Sequence, residues 1–339
     1  MLGTPQGTER ALKRKRESAP SSPTGFYQHE TLYLEDGDIV LTAPYRKGRL
    51  AFRVDKIFLA RHSPIFKDML AFSPGLCAED MYEGVPRVDL TDDAEDLAIL
   101  LGRMYNRPTL SLPKYSADKP LRFSGPIRLA MKYEIEEIKN TMIKEVEDDW
   151  PQSLDAYEAW FKERARIIRS HSKDFWNHIP EPASAMQFAT EFGCNQMIDA
   201  VIYHLARASP DDALPVDRKT SQQPHRVRWN LLDGRNLFRV LYAHADFRSN
   251  WLPKFRALLI GQSPLCMSKH CYQTMHTLVN SAANDVLEST SVTIDRLRTC
   301  GICRRCIGVI EENAPQIHKL QVNLWKTLRC YATIEPVPW

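Results

Sequence analysis

Arg49-Leu-Ala-Phe-Arg-Val-Asp-Lys-Ile-Phe-Leu-Ala-Arg-His-Ser-Pro-Ile-Phe-Lys-Asp-Met-Leu70 passes from one hydrophobic period to another, and that change decides the fold. Leu50, Phe52 and Val54 alternate with polar residues, the pattern of a half-buried strand. Ile65, Phe66, Met69 and Leu70 then recur at helical spacing. Ser63-Pro64 supplies the start signal, a serine oxygen for open N–H groups and a proline that loses no bond there. Two short helices are expected after the strand. Upstream, Thr31-Leu-Tyr-Leu-Glu-Asp-Gly-Asp-Ile-Val-Leu-Thr42 is β-rich, with Asp36-Gly37 as a turn or bulge, and Pro44-Tyr-Arg-Lys-Gly48 joins it to the quoted strand as a hairpin. Downstream, Arg87-Val-Asp-Leu90 reads as a third strand. Asp92-Asp93 opens a helix whose stripe is Leu97, Leu100, Leu101, Met104 and Tyr105. Pro126 is expected to open another, with Ile127, Ala130, Met131, Ile135, Ile138, Met142 and Val146 inward.

Four stretches in this order resemble the BTB/POZ domain, in the form abundant in mushroom-forming fungi. They are Asp36-Gly-Asp-Ile-Val-Leu41, Phe52-Arg-Val-Asp-Lys-Ile-Phe-Leu59, Ser63-Pro-Ile-Phe-Lys-Asp-Met-Leu70 and Val88-Asp-Leu-Thr-Asp-Asp-Ala-Glu-Asp-Leu97. The resemblance implies an α+β fold over residues 31–149, a small three-stranded sheet with a helical cluster, followed by an all-α extension. It also implies protein–protein binding, with a cullin-type ubiquitin ligase scaffold as a partner for a substrate adaptor. The family usually carries a histidine where this chain has Asp55, near the acid that matches Asp38. Asp55 is expected to point to solvent or toward Lys56 or Arg53. Only a tail is expected before the first strand, which speaks against strand-swapped dimerisation; homo-oligomerisation is otherwise open.

Beyond residue 149 the sequence reads as helical. Ser153 caps a stripe of Leu154, Tyr157, Trp160, Phe161, Ala165 and Ile168. Residues 183–192 and 195–208 form a pair joined at Gly193, with Met197, Ile198, Val201, Ile202 and Leu205 inward. Residues 210–224 are a polar linker. Helices are expected at 233–247, 250–260, 270–289 and 304–328. The domains are then 1–30, a disordered basic tail; 31–149; 150–215, a helical extension; and 216–339, a C-terminal helical region.

Composition narrows the function. The 339 residues are 43% hydrophobic, which excludes wholesale disorder. Forty-five Lys and Arg face 42 Asp and Glu, and the surplus of +3 is that of residues 1–29. Residues 31–149 carry −4 and residues 150–339 carry +5. Nucleic-acid binding by the fold as a whole is therefore not expected. A local patch of Arg296, Arg298, Arg304 and Arg305 is the alternative, a nuclear transcription-related regulator gripping DNA or chromatin. Lys13, Arg14, Lys15 and Arg16 form a nuclear-import candidate. No apolar run reaches the ~18 residues of a membrane span, and the N-terminus has no signal-peptide core. A nuclear or cytoplasmic protein is expected, neither secreted nor in a membrane, with its eight cysteines as thiols or metal ligands.

Cys303-Arg-Arg-Cys306 has the gap that lets two thiolates reach one metal, and Cys266-x4-Cys271 can supply a second pair. Together they would make a structural four-sulfur zinc site, with Cys300, His270, His276 and His318 as substitutes. Free thiols on buried helix faces are the competing reading. Cys77 and Cys194 have no partner in sequence and are expected to be structural. The chain lacks Gly-x-Ser-x-Gly, Gly-x4-Gly-Lys-Ser/Thr, Gly-x-Gly-x2-Gly and His-Glu-x2-His. Gly261-Gln-Ser263-Pro comes nearest, but Leu265 replaces the second glycine. Asp92-Asp93 and Asp148-Asp149 are read as caps and exposed charge, and His244 as a core histidine. A non-catalytic interaction module is expected, with no cofactor other than zinc.

Overall fold

The computed structural model describes residues 25–71, 81–107, 110, 112–170, 179–208, 227–260, 268, 271, 273, 287, 294–295 and 298–335. Lys13, Arg14, Lys15, Arg16, Cys77, the 210–224 linker and most of 270–289 lie outside them. The chain divides into two compact units, Met1–Thr109 and Leu110–Trp339, rather than near residue 149. Among the described residues no helix is long and apolar enough to cross a membrane.

The first unit is α+β. Its elements run β1 (Phe26–Tyr33), β2 (Ile39–Tyr45), β3 (Gly48–Val54), α1 (Lys56–His62), α2 (Pro64–Ala71), β4 (Met81–Tyr82), β5 (Val85–Asp89) and α3 (Ala94–Met104). The sheet order is β1-β3-β2-β5-β4. The expected hairpin is present, antiparallel from Ile39 opposite Val54 to Tyr45 opposite Gly48. β5 lies parallel to β2 on its other side, with Val40 beside Arg87. Ser63 Oγ accepts the Phe66 N–H at 3.0 Å, and Asp93 accepts the N–H groups of Glu95 and Asp96, so both helix starts form as expected.

Two differences concern the sheet. It has five strands instead of three, and residues 26–30 are strand instead of disordered tail. Aromatic surface is the reason. Phe26 packs its ring tilted against Tyr82, centroids 5.0 Å apart, and Phe26 and Tyr33 cover a core of Val40, Ala51, Tyr82 and Val85. β1 runs parallel to β3 within the chain, and Arg49 N–H donates to Gly25 O at 3.0 Å. Gly48 permits that approach, since a Cβ there would lie 1.9 Å from the same oxygen. Arg49 cross-ties three strands. Its guanidinium donates to Thr42 Oγ1, Thr42 O and Leu90 O, and Thr42 Oγ1 donates to Asp89.

The second unit is helical where described: α4 (Lys119–Lys132), α5 (Glu136–Glu147), α6 (Leu154–Ser170), α7 (Pro182–Phe192), α8 (Ile198–Arg207), α9 (Gly234–Asp246), α10 (Leu252–Ile260) and α11 (Arg304–Ala332). Ser153 caps α6 through Ala156 N–H at 3.2 Å, and Gly193 ends α7 in the left-handed region at φ 71°. A π-turn, Phe247–Trp251, carries α9 into α10. Asp246 holds it by accepting from Trp251 Nε1, Asn250 and Tyr331 Oη.

Three expectations fail in this unit. Pro126 lies inside α4, which begins seven residues earlier. Glu134, at φ 54°, breaks the single inward stripe into α4 and α5, and leaves Met131 about half exposed. Asp149 is buried rather than exposed. Its carboxylate meets Lys119 Nζ at 2.6 Å and accepts Tyr115 N–H at 3.1 Å, while Trp160 Nε1 donates to its carbonyl at 2.8 Å. Burial pushes the Asp149 carboxyl up, opposed by the bonds from Lys119 and Tyr115.

Breaking this pair leaves a lone buried charge, so Lys119→Met should cost ~3–5 kcal/mol in urea unfolding followed by tryptophan fluorescence. Asp149→Leu added to it should recover most of the loss. A carboxyl raised in the folded state is easier to protonate there than in the unfolded chain. Lys119→Met should therefore regain stability as the pH falls toward 4, and a pH-independent loss would show that the lone carboxylate is not its cause.

Candidate metal centre

α11 is a helix of 29 residues whose apolar stripe, Ile307, Ile310, Ile317, Leu324, Leu328 and Tyr331, is buried. The stripe fixes the helix against α6, α8, α9 and α10 and so fixes where its N-terminus stands. Cys303 is the N-cap residue, with extended backbone at φ −68° and ψ 154°, and Cys306 follows in the first turn. Cys271, nearly inaccessible, reaches the same point from another part of the chain. The ligand atoms of Cys271, Cys303 and Cys306 all lie within 4.8 Å of one another. In a tetrahedral zinc–thiolate site with Zn–S near ~2.3 Å the sulfurs stand ~3.8 Å apart, so a small side-chain closure suffices. The three thiols can hold a soft cation. The first-turn N–H groups of α11 and the exposed Arg304 and Arg305 favour negative charge at this point.

Three of the four expected ligands are thus brought together, and the fourth, Cys266, lies outside the described residues. Among the described residues the substitutes, Cys300 and His318, do not join them. Cys300 is half-buried but is not one of the clustered thiols. His318 lies twelve residues beyond Cys306 on the same helix, ~18 Å along its axis. His270 and His276 are outside the described residues. Sequence spacing alone could not rank Cys271 against Cys300, because only packing brings residue 271 to the end of α11.

Other candidates resolve into structural roles. Asp55 does not point to solvent or to its basic neighbours. Its carboxylate accepts from Tyr105 Oη at 3.2 Å, and Tyr105 Oη accepts the Asp55 N–H at 2.9 Å. Asp38 caps α1 by accepting Lys56 N–H at 2.7 Å. The two acids are therefore occupied separately. Arg298 is paired with Asp295 at 3.2 Å and Glu311 at 3.0 Å, which offsets the basic patch, and Arg296 lies outside the described residues. His244 Nδ1 meets Ala206 O at 2.7 Å.

His204 lies outside the site residues expected from the sequence. It is fully buried among Trp150, Tyr157, Trp160 and Tyr203, with ring centroids 5.0–6.0 Å away. Burial, with Arg164 and Arg207 adding to it, holds the imidazole well below its usual range, so it is neutral at physiological pH. Its place inside the inward stripe of α8 was the available signal.

Cys194 differs from the cluster in chemistry. Burial, with Glu147 adding to it, pushes its thiol up to about 12. Iodoacetamide at pH 8 on metal-free native protein should alkylate Cys303 and Cys306 and leave Cys194 unmodified by peptide mass spectrometry. Labelling of Cys194 at a comparable rate would show that its burial is not as described.

No protein-family model, no curated protein and no solved structure matches the chain.

Proposed function

We propose that the chain is a non-catalytic protein–protein interaction module, a BTB/POZ-type unit with a helical extension, acting as a substrate adaptor for a cullin-type ubiquitin ligase in the nucleus or cytoplasm. The four stretches behind the resemblance fall on β2, β3 with α1, α2, and β5 with α3. The observation that carries the reading is Ile57. It lies in α1, inside one of those stretches, and is 73% exposed although its neighbour Leu59 is fully buried. A large apolar side chain held at the surface by a short rigid helix suits a protein contact. DNA binding through the arginine patch is less well supported, because Arg298 already has two carboxylate partners.

The zinc reading belongs to the same proposal. Cys271, Cys303 and Cys306 would hold a structural zinc ion that pins the Cys271 segment to the start of α11, adding a cross-link that the helix caps do not supply. Cys303 makes no side-chain cap bond of its own to the helix.

Affinity purification of the full chain should recover a cullin. Ile57→Asp should reduce that recovery about tenfold, equivalent to ~1.4 kcal/mol, without loss of folded protein. The adaptor reading fails if neither a cullin nor any other protein is retained. Elemental analysis of protein purified without chelator should find zinc, lost in Cys271→Ser, Cys303→Ser and Cys306→Ser and kept in Cys300→Ser. Protein devoid of zinc would end the metal reading.

A further inference from the structure

We infer that Cys303 and Cys306 are a peroxide-sensitive pair, whose oxidation to a disulfide discharges the metal and frees the Cys271 thiol. The coupling to metal rests on the zinc reading above. The peroxide chemistry rests on the position of the two sulfurs.

The two groups of the cluster differ in access. Cys271 is 4% exposed, whereas Cys303 and Cys306 are half-buried at the end of the helix. A small neutral oxidant therefore reaches the α11 pair first. Cys303 stands at the N-cap with extended backbone, outside the helical turn, so its side chain can swing toward Cys306 without unwinding α11. The N-cap and the third residue of the first turn lie about one helical turn apart, within the Cα separation of ~4.4–6.8 Å that a disulfide spans. Thiolate is the form that attacks a peroxide.

The step balances with hydrogen peroxide as oxidant. One thiolate of the pair attacks a peroxide oxygen; an S–O bond forms, the O–O bond breaks, and the departing hydroxide leaves as water after taking a proton. The second thiolate attacks the resulting sulfenic sulfur, forming the S–S bond as the S–O bond breaks, and the hydroxide expelled takes a second proton from solvent and leaves as water. The two sulfurs together lose two electrons and the peroxide gains them. Zinc changes no oxidation state, loses two of its thiolate ligands and departs. A thiol reductant reverses the sulfur chemistry and lets the ion return.

The test treats zinc-loaded full-length protein with hydrogen peroxide. A colorimetric chelator follows zinc while non-reducing peptide mass spectrometry maps the thiols. Trypsin cuts at Arg304 and Arg305, so a 303–306 disulfide is read as two linked peptides. The expected result is one zinc released per 303–306 link, reversed by dithiothreitol and added zinc, and unchanged in Cys300→Ser. In Cys271→Ser the same link should still form, since both of its sulfurs belong to α11, and this variant keeps the test open if the Cys303 and Cys306 variants fail to fold. Links to Cys271 or Cys300 in place of 303–306, or zinc retained while the pair is oxidised, overturn the inference and leave the metal reading intact. Protein that takes up no zinc overturns the metal reading and the coupling together.

Discussion

Asp149 is the point on which the helical unit turns. One carboxylate takes the ammonium of Lys119 and the N–H of Tyr115, and the carbonyl of the same residue takes the indole N–H of Trp160. The start of α4, the end of α5 and the body of α6 are thereby fixed by one residue. A buried ion pair adds little net stability compared with apolar residues of the same shape. It does penalise any arrangement that separates its partners, because each alternative leaves a charge out of water and unpaired. The aromatic core of Tyr157, Trp160, Tyr203 and His204 packs around the helices so placed. The imidazole of His204 is kept neutral by the surroundings that bury it.

Further along the chain the same logic applies with weaker pieces. Arg329 reaches from α11 to the buried Asp199 of α8 at 2.9 Å, and Arg239 of α9 pairs with Glu335 at 2.7 Å. Glu181 accepts from Ala183, Ser184 and Arg228 N–H groups, capping α7 while satisfying a distant backbone donor. The Arg329 pair ties the C-terminal part of α11 to α8, and the buried stripe along the helix sets Cys303 and Cys306 before Cys271. The chemistry available to the thiols is therefore a consequence of helix packing and of the helix end itself.

In the first unit the comparable constraint is the sheet. Thr42 is fully buried with a polar hydroxyl, a costly placement unless it is bonded, and Arg49 and Asp89 bond it from the two neighbouring strands. Of the three strands joined by this network, β3 alternates plainly in the sequence, while β2 and β5 read there as β-rich stretches. β1 and β4 are short or mixed in polarity and attach by aromatic contact, and so their sequences carry little sign of them.

The sequence by itself determined the local features with a strong chemical signature. The β2–β3 hairpin follows from alternation at Leu50, Phe52 and Val54, the start of α2 from Ser63-Pro64, the start of α3 from Asp93, and the stop of α7 from Gly193. Each depends on residues a few positions apart, where hydrogen bonding and steric fit act without help from the rest of the chain. It also offered Cys266, Cys271, Cys303 and Cys306 by spacing as one candidate ligand set, without deciding between Cys271 and Cys300. What only the tertiary structure decided depends on residues distant in sequence. Asp55 meets Tyr105 fifty residues away, Asp149 is buried because Lys119 and Trp160 close over it, and Cys271 joins the end of α11 across some thirty residues. No periodicity encodes such meetings, because burial turns a surface charge into a core pair, or a lone thiol into part of a cluster, only once the helices have packed.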